Sequence, residues 1–282
     1  MDSTTLAANL YMQAQSSTSP DLELVHIPTP YACSRPPILF IHGGWHGAWC
    51  WEDYFMPHFA GLGYDTYALS FRGHGASKGK ERLRFHSIRD YVEDIKAVVQ
   101  QLPSEPIIVA HSMGAFTLMH YLRDELPRAA ILLAPMPPIG VRNLTLRTLI
   151  GYPFRLLYCH LTGSLRHLVN RPELVRDLFF VNDIPAEKLQ HIFSRIGDES
   201  FRAYIDCLFW ALPQPVDVSG IPRLVLRAEL DRIITPTEIE LTGRFMQTQP
   251  KLIRGLAHDM MLDENWRLAA DYISNFLAVN KL

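Results

Sequence analysis

The sequence has few cysteines, and it has no apolar export segment near its start. Only four of its 282 residues are cysteine, and their positions at 33, 50, 159 and 207 do not follow a metal-binding spacing. The first 20 residues are mostly polar, so they lack the apolar core of a signal peptide. We therefore expect reduced thiols, a cytoplasmic location and a loosely held tail over residues 1–20.

An excess of charge of either sign is also absent. The chain carries 27 basic and 29 acidic residues, which gives a formal net charge of -2. Proteins that bind nucleic acid through its phosphates typically have a basic excess, so the composition favours no nucleic-acid partner. Apolar residues make up 48% of the chain. This content is sufficient for one large core with an inserted segment.

The most informative motif lies between an apolar run and a helix-like segment. Residues 107–109 are Ile-Ile-Val, and residues 110–114 read Ala-His-Ser-Met-Gly. A serine in a sharp strand-to-helix turn, with small neighbours, exposes its hydroxyl as a nucleophile. Ala110 stands where this motif usually has glycine, and an ordinary helix N-cap would also suit a serine. Ser112 is the predicted nucleophile.

Such a turn requires an acid and then a histidine later in the chain. Residues 222–228 are predicted as a buried strand, and the loop that follows contains Glu229 and Asp231. Chemistry in open α/β sheets is placed at the carboxyl ends of the strands. We predict Asp231 as the acid, with Glu229 as its local alternative. His258 is the one histidine beyond Asp231 and is predicted as the base.

Apolar runs alternate with amphipathic stretches along the chain, which predicts a mostly parallel sheet crossed by helices. Strands are predicted at 22–27, 38–42, 64–69, 107–110, 130–133, 224–226 and 252–254. Helices are predicted at 51–60, 88–102, 115–126, 237–246 and 265–279. Proline-containing turns at 136–140 and 212–215 bound a helix-rich segment. We therefore expect a core over 21–135 and 216–282, with a helical lid over 136–215.

The predicted lid is rich in aromatic residues, which would form an apolar substrate pocket, the lid's own core, or both. Its first half is also basic. No acidic residue lies between Met136 and Pro172, whereas five arginines do. Such a segment is either a solvated face or a surface for anionic lipid, so peripheral membrane contact through the lid is a hypothesis.

Three segments resemble a known superfamily. Residues 40–51 read Phe-Ile-His-Gly-Gly-Trp-His-Gly-Ala-Trp-Cys-Trp, similar to a run in plant methylesterases and, less closely, in hydroxynitrile lyases. Residues 72–77, Arg-Gly-His-Gly-Ala-Ser, resemble a turn common to many bacterial-type esterases and lipases, and residues 256–261 resemble their catalytic histidine loop. The chain is identified as a member of the α/β-hydrolase fold superfamily.

This resemblance implies an α/β-hydrolase fold, with a mostly parallel central sheet flanked by helices and a helical lid insertion. Together with the turn geometry, it implies that the amides of Gly44 and Met113 form an oxyanion hole. Trp45 would then present its side chain to the substrate. His42 and His46 are interpreted as loop histidines that bond to the backbone, because they lie among glycines and not on a helix. No metal site is predicted.

The sequence thus predicts a serine hydrolase that cleaves a small-molecule carboxylic ester through an acyl-enzyme, without a cofactor. The aromatic lid favours an apolar acyl group, of the lipase or lysophospholipase type. Two alternatives remain open. One is a lyase of the hydroxynitrile-lyase type, which uses the same serine and histidine. The other is a ligand receptor that retains the hydrolase fold, since a fold does not determine a function.

Overall fold

The computed structural model describes residues 22–31, 35–180 and 184–282. The predicted tail over 1–20, and Cys33, lie outside these ranges. Within them, seven strands form one sheet in the order β1-β3-β2-β4-β5-β6-β7. The strands are β1 (Glu23–Ile27), β2 (Ile38–Ile41), β3 (Thr66–Ser70), β4 (Ile107–His111), β5 (Ala129–Leu133), β6 (Arg223–Ala228) and β7 (Lys251–Ile253). Strand β1 pairs antiparallel with β3, and the other pairs are parallel.

The central strands are covered on both faces by helices. Each residue of β2, β4 and β5 is buried, as parallel strands between two helical layers require. The helices of this core are α1 (Trp49–Glu52), α2 (Phe55–Gly61), α3 (Ile88–Val99), α4 (Ser112–Tyr121), α10 (Pro236–Phe245) and α11 (Arg267–Val279). The predicted α/β-hydrolase fold is confirmed in its sheet and its flanking helices.

The prediction of one helix over 51–60 is wrong, because two short helices occupy this region. Tyr54, which separates α1 from α2, has φ -132° and ψ -61°. These angles lie outside the helical region, so the backbone changes direction there. The aromatic side chains around the break pack in the core: the ring of Trp51 lies 4.9 Å from that of Phe40 and 5.4 Å from that of Phe55.

Between β5 and β6 the chain leaves the sheet and forms a series of helices, here called the helical insertion (residues 142–210). Its elements are α5 (Arg142–Gly151), α6 (Pro153–Thr162), a 3₁₀ turn (Leu165–Leu168), α7 (Pro172–Phe179), α8 (Ala186–Arg195), α9 (Phe201–Ile205) and a π-helical turn (Asp206–Trp210). They fall inside the segment predicted as a lid, 136–215. None of the helices in the described residues is long and apolar enough to cross a membrane.

Close packing between β2 and α4 fixes where the nucleophile turn sits. A Cβ atom on Gly114 would lie 2.3 Å from the carbonyl oxygen of His42 and 3.0 Å from that of Ile41. Both are backbone atoms at the end of a buried strand, so neither can move cheaply. Glycine at position 114 therefore allows the helix to cross the strand at contact distance.

Replacing this glycine tests the packing. We expect Gly114→Ala to lower the free energy of unfolding by about 1–3 kcal/mol or more, because the methyl group must displace buried backbone. Gly61→Ala is the matched control, since nothing lies within 4 Å of a Cβ there. Urea unfolding of both variants measures the difference. Equal stability of the two variants would contradict this account of the crossing.

Candidate active site

Ser112 lies at the junction of β4 and α4, in a strained backbone conformation. Its φ is +48°, in the left-handed region that non-glycine residues seldom adopt. Such a conformation typically costs about 1–3 kcal/mol and persists where the surrounding structure imposes it. The side chain lies at the floor of a cavity and is 9% exposed. The strand-to-helix turn predicted from the sequence therefore has the geometry of a nucleophile elbow.

The three residues predicted as nucleophile, base and acid lie in one chain of contacts. The Ser112 Oγ atom is 3.0 Å from His258 Nε2, and His258 Nδ1 is 2.8 Å from an oxygen of Asp231. The serine follows β4, the aspartate follows β6 and the histidine follows β7, so all three lie at the carboxyl edge of the sheet. This arrangement can pass a proton from the hydroxyl to the imidazole.

The acid assigned from sequence is the one that contacts the histidine. The second carboxylate oxygen of Asp231 accepts hydrogen bonds from the amides of Ile233 and Ile234, at 2.8 and 2.9 Å. Glu229, the alternative, is exposed and accepts the amide of Gly255 at 2.9 Å. Its carboxylate is therefore engaged in the loop and not with His258.

Gly44, Met113 and Trp45 line the same cavity as Ser112. Met113 is the second residue of α4, where a helix leaves its amide without an intrahelical acceptor. Gly44 follows β2 at the same sheet edge. His42, just before it, holds the loop: its Nδ1 donates to the carbonyl of Gly43 at 2.7 Å, and its Nε2 accepts the amide of Phe71 at 3.1 Å.

A carboxylate from the helical insertion reaches this loop. The amide of Trp45 donates to Glu199 Oε2 at 3.2 Å, and Trp45 itself has φ +65°. The other partners of Glu199 are His74 Nε2 at 3.1 Å, the Tyr91 hydroxyl at 3.1 Å and the Ser200 amide at 2.6 Å. Sequence reasoning missed Glu199, because its partners other than Ser200 lie 108 to 154 residues away in the chain.

The contact between His74 and Glu199 is a buried ion pair. Burial alone would lower the pKa of His74, but the adjacent carboxylate raises it above the usual value of 6.5. Burial likewise raises the pKa of Glu199, and the imidazolium brings it below 4.5. Each group thus favours the charged form of the other. His74 lies in the turn formed by residues 72–77, and its position makes it the anchor for the insertion's carboxylate.

A second buried pair joins the loop after β2 to the loop of the candidate base. His46 Nε2 lies 3.0 Å from Asp259, and its Nδ1 lies 2.7 Å from the carbonyl oxygen of Gly44. Both partners are acceptors, so the ring donates from both nitrogens. Burial opposes this charge, yet Asp259 raises the pKa of His46. His111 Nε2 donates to the carbonyl of His258 at 3.0 Å, and burial lowers the pKa of His111 to about 3.

Among the described residues, one group of side chains has donor atoms close enough together to hold a metal ion. It comprises His111, His258 and Asp259, whose donor atoms lie within 4.8 Å of one another. Both ring nitrogens of His258 already contact Ser112 and Asp231. A bound metal would have to displace those contacts, so this group is better described as part of the hydrogen-bonded site.

The cavity above Ser112 has a volume of about 180 Å³ and extends beneath the helical insertion. Its walls are mostly apolar. The insertion contributes Leu144, Leu156, Leu165, Leu174, Leu178 and Phe179. Of the aromatic residues of the insertion, Phe179 and Tyr204 line the cavity, whereas Phe180 is buried in the core.

The profile of the alpha/beta hydrolase family matches residues 38–271. The chain belongs to the alpha/beta hydrolase family. This membership confirms the superfamily identified from the motifs at residues 40–51, 72–77 and 256–261.

Several relatives with assigned names are ester hydrolases. The chain is 23% identical to methylesterase 18 of Arabidopsis thaliana, with 70% of this chain and 80% of that protein aligned. It is also 23% identical to a monoacylglycerol lipase of Mycolicibacterium smegmatis, over 78% of this chain and 80% of that protein. The solved structure of the Arabidopsis methylesterase MES16 superposes with a TM-score of 0.65 at 18% identity, covering 88% of this chain and 100% of that one. These similarities support ester hydrolysis at the level of the family.

The ion pair between His74 and Glu199 predicts a pH dependence of stability. The folded pKa of His74 is raised, so its stabilisation is full below pH 6.5 and is lost as the pH rises through the folded pKa. We expect Glu199→Gln to reduce that loss and to cost about 3–5 kcal/mol near neutral pH, because the buried imidazolium loses its partner. Urea unfolding from pH 6.5 upward measures both effects.

Glu229→Gln is the control for this experiment, because Glu229 is exposed and its carboxylate accepts the amide of Gly255. It should retain the wild-type profile. If the unfolding free energies of Glu199→Gln and wild type changed in parallel above pH 6.5, His74 would not owe its charge to this carboxylate.

Proposed function

We propose that this protein is a serine hydrolase that cleaves carboxylic esters through an acyl-enzyme. Ser112 is the nucleophile, His258 the general base and Asp231 the acid that orients the imidazole. The observation that carries the proposal is the continuous contact from serine to histidine to aspartate, at 3.0 and 2.8 Å. Family membership and the ester-hydrolase names of the relatives support it.

In the first step, His258 Nε2 accepts the proton of Ser112 while Oγ attacks the ester carbonyl. The carbonyl oxygen becomes negatively charged, and the amides of Gly44 and Met113 donate hydrogen bonds to it. One such donor is typically worth ~2.7–4 kcal/mol in the barrier. Collapse of this intermediate expels the alcohol, which takes the proton from His258. Asp231 remains ionised and stabilises the imidazolium.

In the second step, water replaces the alcohol. His258 takes a proton from the water, hydroxide attacks the acyl carbonyl, and the same two amides again hold the oxyanion. Departure of Ser112 Oγ with the proton releases a carboxylic acid. Every group in this cycle is supplied by the chain, so the reaction proceeds without a cofactor.

The substrate we propose has an apolar acyl group. The cavity is walled by leucines of the helical insertion, so an acyl chain would bury apolar surface there at about 25 cal/mol per Å². The insertion would act as a lid, with the core over 21–135 and 216–282 carrying the chemistry. An ester of a small alcohol or of glycerol suits this site, and both classes occur in the names of relatives.

The nucleophile is tested by covalent labelling. We expect Ser112→Ala to abolish stoichiometric reaction with a fluorophosphonate probe, because the reactive hydroxyl is gone. Ser104→Ala is the control, since Ser104 is exposed and outside the site, and it should label like wild type. Labelling of Ser112→Ala at the wild-type rate would refute the assignment.

Substitutions at Asp231 and at Glu229 test which of the two residues is the acid. Asp231→Asn should lower kcat by about 10⁴-fold because the asparagine favours the wrong imidazole tautomer. Glu229→Gln should retain wild-type turnover. A panel of p-nitrophenyl esters together with a cyanohydrin separates the hydrolase from a lyase, and sustained multiple turnovers separate it from a ligand receptor. Cyanohydrin cleavage without ester turnover would favour the lyase.

The cavity also predicts how chain length affects activity. Leu144, on the inner side of α5, lines the cavity, whereas Leu146 on the same helix is 56% exposed. We expect Leu144→Trp to lower kcat/KM for long acyl esters relative to acetate by at least about tenfold, because the indole occupies acyl space. Leu146→Trp should leave the ratio unchanged. An equal chain-length profile in both variants would contradict an acyl site beneath α5.

A further inference from the structure

The helical insertion has a second apolar surface, on the side away from the cavity. On α5 this surface follows one helical stripe, and on α6 it follows another at spacings of i, i+3, i+4 and i+7. We call it the outer face, and its members are Leu146, Leu149, Ile150, Phe154, Leu157, Tyr158 and Leu161. The most exposed are Phe154 at 83%, Ile150 at 77% and Leu161 at 73%. Soluble surfaces seldom expose such large side chains together.

The two sides of α5 and α6 face different surroundings. Leu144 and Thr148 of α5, and Leu156 of α6, line the cavity, about half a helical turn away from the outer face. Helix α5 has no buried residue at all. Its packing against the core therefore does not explain why its outer stripe is leucine and isoleucine. Something other than the cavity must account for the outer face.

The outer face is concentrated in one region and continues beyond α6. Nearly half of the exposed large apolar side chains in the described ranges lie on α5, on α6 or at their junction. Leu161 at the end of α6 shares a shallow surface groove with Trp210, which is 74% exposed, and with Phe85. Arg84 and Arg202 line the same groove. The apolar surface is thus bordered by cationic side chains.

The charge of this segment identifies the occupant. Residues 137–172 contain no aspartate or glutamate, in a chain with 29 acidic residues. The same segment contains Arg142, Arg147, Arg155, Arg166 and Arg171. Arg142 and Arg171 are exposed, so their charges reach the solvent. Arg147 is paired with Glu238 of α10, and no acidic residue within the segment balances the other four arginines. Apolar and aromatic side chains beside this cationic charge match the boundary between the headgroups and acyl chains of an anionic bilayer.

We propose that the outer face of α5 and α6 binds the surface of membranes that contain anionic lipid. Phe154, Ile150 and Leu161 insert below the headgroups, and Arg142 and Arg171 contact lipid phosphates. This surface lies opposite the cavity-lining side of α5 and α6. In a docked molecule, the two helices that wall the cavity would therefore rest on the bilayer with their outer face. The proposal concerns binding and does not depend on ester hydrolysis.

Vesicle flotation tests this proposal with the full chain. Phosphatidylcholine vesicles with phosphatidylserine should carry the wild-type protein to the top of a gradient, and pure phosphatidylcholine vesicles should carry much less. Phe154→Glu should weaken binding at least tenfold. Val279→Glu is the matched control, because Val279 is 82% exposed but lies at the end of α11, outside the helical insertion. It should bind like wild type.

A second pair of variants tests the charges. Arg142→Gln with Arg171→Gln should weaken binding to the phosphatidylserine vesicles by about 25-fold, since each surface arginine contributes about fivefold. Arg123→Gln with Arg254→Gln makes the same change in net charge at exposed positions of the core and should have no effect. Circular dichroism confirms that each variant is folded.

Two results would overturn the proposal. One is no flotation of wild type with phosphatidylserine vesicles. The other is flotation that Phe154→Glu and Val279→Glu alter equally. Size-exclusion chromatography with light scattering on the same proteins identifies the competing occupant: a wild-type dimer that Phe154→Glu dissociates, without vesicle binding, would assign the outer face to a second copy of this chain. Because the readout is binding, a failure here leaves the test of Ser112 untouched.

Discussion

The left-handed backbone at Ser112 is the constraint on which the site depends. A non-glycine residue with φ +48° costs free energy, so the rest of the fold must impose it. The strand before it is buried at each position, and the helix after it is held against β2 by Gly114. The sheet edge then fixes where the acid and base loops end. Hydrogen bonds of 2.8–3.0 Å among the three side chains follow from packing beneath them.

Buried ion pairs extend this rigidity from the sheet to the loops around the serine. The pair of His46 and Asp259 connects the loop after β2 to the loop of His258. The pair of His74 and Glu199 connects the loop after β3 to the helical insertion. A buried ion pair adds little net stability over apolar packing, but removing one partner leaves the other charge buried and uncompensated. Such pairs therefore penalise any arrangement in which the loops drift apart. The amide of Trp45, bound by Glu199, makes the loop's backbone part of that network.

Local signals allowed much of this structure to be predicted from the sequence. The seven predicted strands match the observed ones to within two residues at each end, because central parallel strands are continuous apolar runs. His258 could be chosen from chain order alone, whereas chain order left Glu229 beside Asp231 as a candidate acid. The break at Tyr54 could not be predicted, since a helical pattern continues through it. The role of Glu199 could not be predicted either, because it depends on a contact with His74, which lies 125 residues away in the chain.

The two sides of the site are built by different parts of the chain. The carboxyl edge of the sheet carries Ser112, the proposed acid and base, and the amides of the proposed oxyanion hole. The opposite wall includes α5, which has no buried residue and lines the cavity through Leu144, Thr145 and Thr148. This helix is held to the core by polar contacts, because Arg147 pairs with Glu238 of α10 at 3.1 Å and donates to the carbonyl of Ile233 at 2.6 Å. The proposed chemistry is therefore fixed by the sheet, whereas a membrane bound at the outer face would act on the proposed acyl-binding space through α5.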